Sequence, residues 1–309
     1  MDKLYFPEGT LIHTSENEQY TGSIEGLEYA MKNGIILEAK AVLCDSSHNL
    51  HVEIGSFKGI IPRQEAVFCP QNEPVKDIAI ITRVGKSVCF VVSDIEYVDG
   101  EERIILSRKD AQKMCCENYI SRLRRGDVID ACITHIEPFG VFCDIGCGVI
   151  GLLPIDCISV SRIGHPSERF GCGQKIRCVV KDVERERCRV TLSHKELLGT
   201  WEENAERFCA GETVRGVVRS VEPYGIFVEL TPNLAGLAEW CEGVQAGCSA
   251  AVYIKSIIPE KMKIKLVIVD TSLNDDHPQP VRYFSDESHI DLWRYSPEGC
   301  PKEIFSSFQ

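Results

Sequence analysis

Four aromatic residues carry most of the chemistry this sequence offers. Phe139 and Phe142 stand in the run Glu137-Pro138-Phe139-Gly140-Val141-Phe142, and Tyr224 and Phe227 in Glu222-Pro223-Tyr224-Gly225-Ile226-Phe227, 85 residues further on. Rings held open to solvent stack on unpaired nucleic-acid bases, at about 1–3 kcal/mol per base and with little regard to base identity. In a regular strand, residues three apart face opposite sides. A glycine between them can take a positive φ and form a bulge, so Gly140 and Gly225 are expected to act as hinges that turn both rings of a pair to one face. A lone aromatic in a strand is ordinarily core. Here the pair recurs beside a separate set of Val, Ile and Leu that suffices for a core, which argues for a surface platform.

Cations gather late in each copy: Lys175, Arg177, Lys181, Arg185, Arg187 and Arg189 in one, Lys255, Lys261, Lys263 and Lys265 in the other. Of these, Lys181, Arg187, Arg189, Lys255, Lys263 and Lys265 join the four rings as candidate RNA contacts, placed to track phosphates. Arg122, Arg124 and Arg125 would extend that path upstream.

Other chemistry finds less support. Cys44, His48 and His51 have ligand-like spacing, but no C-x-x-C pair accompanies them, and no metal site is expected. The chain has no Walker loop, no nucleophile elbow and no carboxylate cluster recurring with the repeats. His135, His165 and His194 are isolated in sequence. The residues describe a binding protein, not an enzyme, with no cofactor.

The elements that must position the rings follow from the repeat. The same shift carries Gly126 onto Gly211, Asp144 onto Glu229, and Gly151-Leu152 onto Gly236-Leu237, the mark of a duplicated folding unit. A weaker copy lies 92 residues before the first of these: Gly34-Ile35-Ile36-Leu37 precedes Gly126-Asp127-Val128-Ile129, and Gly59-Ile60-Ile61-Pro62 precedes Gly151-Leu152-Leu153-Pro154. It puts His48 and His51 where the later copies have aromatics.

Within a repeat, β-rich runs (Val128 to Ile136, Val141 to Ile145, Val149 to Leu153, Ile176 to Val183, Arg189 to Leu192) have the rhythm of a small five-stranded barrel. Between repeats, Ala111, Met114, Cys115, Tyr119 and Leu123 recur at helical spacing, and Leu197, Trp201, Ala205 and Phe208 suggest a second linking helix. The expected organisation is mainly β: an N-terminal extension with a short helix (1–33), a degenerate barrel (34–107), a helical linker (108–125), a barrel (126–198), a helical linker (199–210), a barrel (211–270) and an aromatic tail (271–309). The tail opens on Asn274-Asp275-Asp276-His277-Pro278-Gln279-Pro280, which reads as a linker. Beyond it, Tyr283, Phe284, Trp293, Tyr295, Ile304 and Phe305 are too apolar for a disordered end, and either fold back on a barrel or form a partner patch.

Net charge is −12, but it is unevenly spread. The two aromatic-bearing repeats are each close to neutral at −1, the segment 108–125 is +4, and the degenerate repeat is −4. Local basic grooves remain compatible with that balance. Sixteen cysteines scattered through strand-like apolar runs, and an opening Met1-Asp2-Lys3-Leu4 unlike a signal peptide, fit reduced thiols in a cytoplasmic protein. No apolar run approaches the roughly 20 residues of a membrane span.

At this point a resemblance is specific. Gly126-Asp127-Val128, Pro138-Phe139-Gly140-Val141-Phe142-Cys143-Asp144-Ile145-Gly146, Gly151-Leu152-Leu153-Pro154-Ile155, Gly173-Gln174-Lys175-Ile176 and Arg189-Val190-Thr191-Leu192-Ser193 together resemble the RNA-binding module of the bacterial ribosomal protein S1 family, an oligonucleotide-binding (OB) barrel. The likeness covers the second repeat, most of the third and, in degenerate form, the first. It implies three tandem OB barrels joined by short α-helical linkers. The family's paired aromatics fall on Phe139 and Phe142 and on Tyr224 and Phe227, and its last-strand cation on Arg189 and Lys263.

The family often has a histidine after its Gly-Leu-Val step, where this chain has Pro154 and Glu239. Val267 stands in place of its usual serine. Repeat two is therefore expected to bind most strongly. The resemblance also implies partners: single-stranded RNA, messenger RNA in particular, and the small ribosomal subunit, approached through the first repeat, with no membrane. The alternatives are a free RNA-binding regulator or accessory subunit of an RNA-processing complex, and a protein-interaction scaffold.

Overall fold

A computed structural model describes residues 5–70, 74–98, 101–272 and 281–309. Alternation of inward and outward side chains, as where Ile129, Ala131 and Ile133 turn in while Asp130 stays out, gives each strand one apolar face. Curling those faces inward closes three five-stranded barrels. Two hydroxyl-capped helices, α1 (Ser15–Thr21) and α2 (Ile24–Asn33), precede the first barrel, and Gly34 ends α2 in the left-handed region at φ 61°. That barrel comprises β1 (Leu37–Cys44), β2 (Leu50–Ile54), β3 (Phe57–Ile61), a short α3 (Asp77–Ile81), β4 (Ser87–Val98) and β5 (Glu101–Ser107). Its order is β1-β2-β3-β5-β4, with β4 returning to β1 and only β3–β5 parallel.

The second barrel is β6 (Val128–Glu137), β7 (Gly140–Gly146), β8 (Val149–Pro154), β9 (Lys175–Glu184) and β10 (Arg189–Ser193), and every end lies within one residue of the sequence expectation. The third is β11 (Thr213–Glu222), β12 (Gly225–Thr231), β13 (Leu234–Ala238), β14 (Ser249–Ile258) and β15 (Lys263–Ser272). All three share the OB topology. Among the described residues, no helix is long and apolar enough to cross a membrane.

The first connector is helical as its spacing implies: α4 (Arg108–Asn118) and a following 3-10 turn bury Ala111, Cys115 and Ile120. The second is not one helix. Gly199, at φ 81°, breaks it into a 3-10 turn over Lys195–Leu198 and a single-turn α5 (Trp201–Ala205), because Thr200 and Glu203 form a capping box that starts the chain afresh.

Specific polar contacts join the barrels beside shared apolar packing. Glu8 pins the first to the second: its carboxylate accepts from Arg108 Nε at 2.7 Å, and its backbone N–H donates to Asp144 Oδ2 at 2.7 Å. At the next seam Glu229 is held by Arg169 and by Arg219, and Asn233 Oδ1 accepts from Val160 N at 2.9 Å.

The tail folds back. Ile290 N–H donates to Gly126 O at 2.9 Å, β16 (Leu292–Arg294) pairs with β17 (Phe305–Ser307), and Trp293, Tyr295 and Phe308 enter a core shared with Val179 of the second barrel and Val218 and Ile226 of the third. Its linker-like stretch, 274–280, lies outside the described residues.

His194 sits where tail and second barrel meet, its ring edge-on to both Phe170 and Tyr283. Nδ1 donates to Ile158 O at 3.1 Å, so Nε2 is free to accept from the Tyr283 hydroxyl at 3.4 Å. Burial lowers its pKa from 6.5 to about 4. A histidine neutral in the native state but protonated in the unfolded chain withdraws stability as acid is added. That contribution is intact above pH 6.5, and on the order of 3 kcal/mol is expected to be lost as pH falls through about 4. Thermal melts across this range should show His194→Gln losing less stability than the parent chain.

Candidate nucleic-acid interface

Pro138 and Phe139 form a two-residue turn between β6 and β7, with Glu137 opposite Gly140. Proline fixes the first turn position near φ −65° and Phe139 keeps a negative φ, so neither turn residue has to be glycine. Phe139 therefore stands at the hairpin tip, 56% exposed. Phe142 lies three residues on, half-buried on β7, and the two rings meet edge to face, 6.0 Å between centroids and 88° apart. The third barrel repeats this with Tyr224, 70% exposed, and a half-buried Phe227, at 6.2 Å and 85°. Each pair is brought together on one open face.

The hinge mechanism fails at the first pair, and at the second only its positive φ, at Gly225, is met. Gly140 does not adopt a positive φ, and the register shift lies on the opposite strand, between Ile133 and His135, or Val218 and Ser220 in the third barrel. Phe139 and Tyr224 escape alternation because they are turn residues. The glycines serve close approach instead: a Cβ at Gly140 would lie 2.6 Å from Leu153 O, and one at Gly225, whose φ is +149°, 2.7 Å from Ala238 O. Gly140→Ala should accordingly cost about 1–3 kcal/mol, because the obstacle is backbone that must shift. A denaturant melt beside an RNA titration would register both the loss and the displaced tip ring.

The outer face can be followed across the strands. In the second barrel His135, Phe142, Leu152 and Thr191 are cross-strand neighbours in one row. In the third the row is Ser220, Phe227, Leu237 and Lys265, so Lys265 lies on the ring's own row, two strands away. Arg189 and Lys263 are exposed one outward step along the last strand. Arg187 is exposed on the β9–β10 turn, within 3.8 Å of Glu184. Lys181 Nζ rests 3.1 Å from Cys157 Sγ just past the end of β8, and Lys255 Nζ lies 3.7 Å from Glu239 Oε1 at the corresponding place in the third barrel.

One ring escaped sequence reasoning. His135 stacks on Phe142, centroids 6.3 Å apart and planes 25° apart, and its Nε2 is 2.7 Å from Glu137 Oε1. Its signal was register: with 137 opposite 140, residue 135 must fall opposite 142. His165 instead caps a 3-10 turn, and His194 is core.

Among the described residues the first barrel shows no such ring pair. Its β1–β2 loop is folded around Asp45, which accepts from Ser47 N and Asn49 N and lies 3.3 Å from His51. The hydrogen bonds from Asn49 foremost hold the Asp45 carboxyl down at about 2, so this site stays anionic. His48 faces Asp77, which also pairs with Arg63 at 2.7 Å. Nearby, Val42, Leu43, Ile78, Ile81 and Val84 are exposed around the pairing of Ala41 with Gly85 and Lys86.

Tandem OB barrels, two of them presenting open aromatic pairs flanked by cations, define a nucleic-acid-binding protein. Residues 122–195 match the S1 RNA binding domain. Over 287 residues the chain is 28% identical to small ribosomal subunit protein bS1 of Staphylococcus aureus, covering 87% of this chain and 70% of that protein. Over 148 residues it is 34% identical to bS1 of Leuconostoc lactis, covering 46% and 34%. Residues 122–195 thus carry the likeness to an S1 RNA-binding domain, and the chain over most of its length is similar to ribosomal protein bS1. It is also 28% identical over 255 residues to part of a 4-hydroxy-3-methylbut-2-enyl diphosphate reductase of Fusobacterium nucleatum, but that match covers only 29% of the reductase.

Proposed function

We propose that this chain binds single-stranded RNA along its second and third barrels, holding messenger RNA for the small ribosomal subunit in a cytoplasmic, non-enzymatic role. The observation that carries the reading is the repeated edge-to-face ring pair, open to solvent on two barrels that share a core. Stacking supplies grip without base selectivity, and Arg189, Lys263 and Lys265 lie where phosphates would run. Likeness to ribosomal protein bS1 supports the ribosomal setting.

The first barrel is assigned to a protein surface on the subunit. Its anionic loop would repel phosphates, while exposed Ile78, Ile81 and Leu43 offer an apolar contact. Gel shifts with unstructured RNA at two salt concentrations test the binding, which should weaken as salt rises. A sucrose-gradient profile of lysate tests the setting. Co-sedimentation with small subunits supports it, a salt-sensitive shift without co-sedimentation would indicate a free regulator, and no shift at all a protein scaffold.

A further inference from the structure

We infer that Trp240 is a third stacking ring on the third barrel, so that this barrel holds a longer run of unpaired bases than the paired aromatics alone provide. The inference rests on the RNA-binding reading above. Trp240 follows the end of β13 by two residues, and the β12–β13 register, which sets Ile226 opposite Ala238, would if continued set residue 240 opposite Tyr224. In the second barrel the register does continue in this way: the equivalent residue, Ile155, donates its N–H to Phe139 O at 3.0 Å.

Cys241 and Val244 pack against the barrel core and anchor the segment, yet the indole is 57% exposed. A large apolar ring left open just past the strand that carries Leu237, itself exposed on Phe227's row, continues the platform rather than the core. The surrounding charge fits a phosphate chain. Lys265 lies on Phe227's row, Lys263 is one step away, and Lys255 meets Glu239, the neighbour of Trp240. This would reverse the order of strength expected from sequence, in which Glu239 weakened the third repeat.

The test uses the chain's own fluorescence. Of its three tryptophans, Trp201 and Trp293 are 2% and 7% exposed, so Trp240 alone can meet added RNA. Titrating the full chain with end-labelled oligouridine should quench tryptophan emission in step with the rise in label anisotropy. Trp240→Phe should keep affinity within about threefold and lose the quench. Trp240→Ala should weaken binding about tenfold, as expected for one lost stack.

Binding by anisotropy with unchanged emission, or an alanine variant that binds like the parent, overturns the inference and leaves RNA binding standing. If Trp240→Ala lowers subunit co-sedimentation alone, the face is a protein contact and the inference is again overturned. Absence of any anisotropy change would sink the RNA-binding reading itself, and the inference with it.

Discussion

Replacing Phe139, Phe142, Tyr224 and Phe227 together by alanine is expected to lower affinity for unstructured RNA at least about a hundredfold. Each stacked base is worth about 1–3 kcal/mol, so even strongly non-additive losses over four rings exceed the roughly 2.7 kcal/mol that a hundredfold change represents. The barrels should survive. Phe139 and Tyr224 are exposed and give up little packing, while Phe142 and Phe227 are half-buried on strands whose inner faces are already filled by Val141, Cys143, Ile226 and Val228. Because the variant keeps every cation, the dependence of its residual binding on salt should be close to the parent's. Anisotropy titrations at two salt concentrations, beside a thermal melt, separate these quantities. An affinity within threefold of the parent, in a folded variant, would mean that the rings do not touch RNA. Either pair alone should have a smaller effect, since the other barrel still holds the strand and rebinding is intramolecular.

Trp293→Ala should be the most damaging single change to the fold, at about 3–5 kcal/mol. The Trp293 ring lies 5.7 Å from that of Tyr295, tilted by 40°, inside the core that joins Val179 and Leu197 to Val218 and Ile226, so its loss opens a cavity at the seam of two barrels. The indole Nε1 is buried with no hydrogen-bond partner among the described residues, which makes Trp293→Phe the informative control. Phenylalanine removes an unpaired donor whose burial costs about 1–3 kcal/mol and gives back most of the volume, so its net effect should be small. Denaturant melts of both variants test this; equal losses would show that the indole N–H, not the cavity, sets the cost. Loosening the seam should also weaken RNA binding without altering any ring, because two barrels freed from one another lose effective concentration.

Local pattern was enough for much of this protein. β-rich runs broken by Gly, Pro and charged turns over Val128 to Leu192 located the second barrel's strands to within a residue, because strand and turn chemistry are both local. The recurrence of Pro-aromatic-Gly at 85 residues picked out both ring pairs, since a duplicated turn keeps its residues. The mechanism that pairs the rings was not legible there. Whether glycine is chosen for positive φ or for close approach depends on which backbone crosses it, and Leu153 O lies on the next strand.

The same limit explains His135, whose partner Phe142 is reached only across the hairpin, and Gly199, which ends one turn and opens another where spacing implied a single helix. It explains the tail most plainly. Its aromatics left open a fold back on a barrel or a partner patch, and the seam that several of them fill exists only after two barrels have docked through Glu229 and Asn233. Periodicity is a property of neighbouring residues, so the chain alone determined its strands, its barrels and its open rings. Which surfaces meet is a property of distant ones brought together, and only the tertiary structure decided the clasp, the close approach at the glycines and the place of His135 beside Phe142.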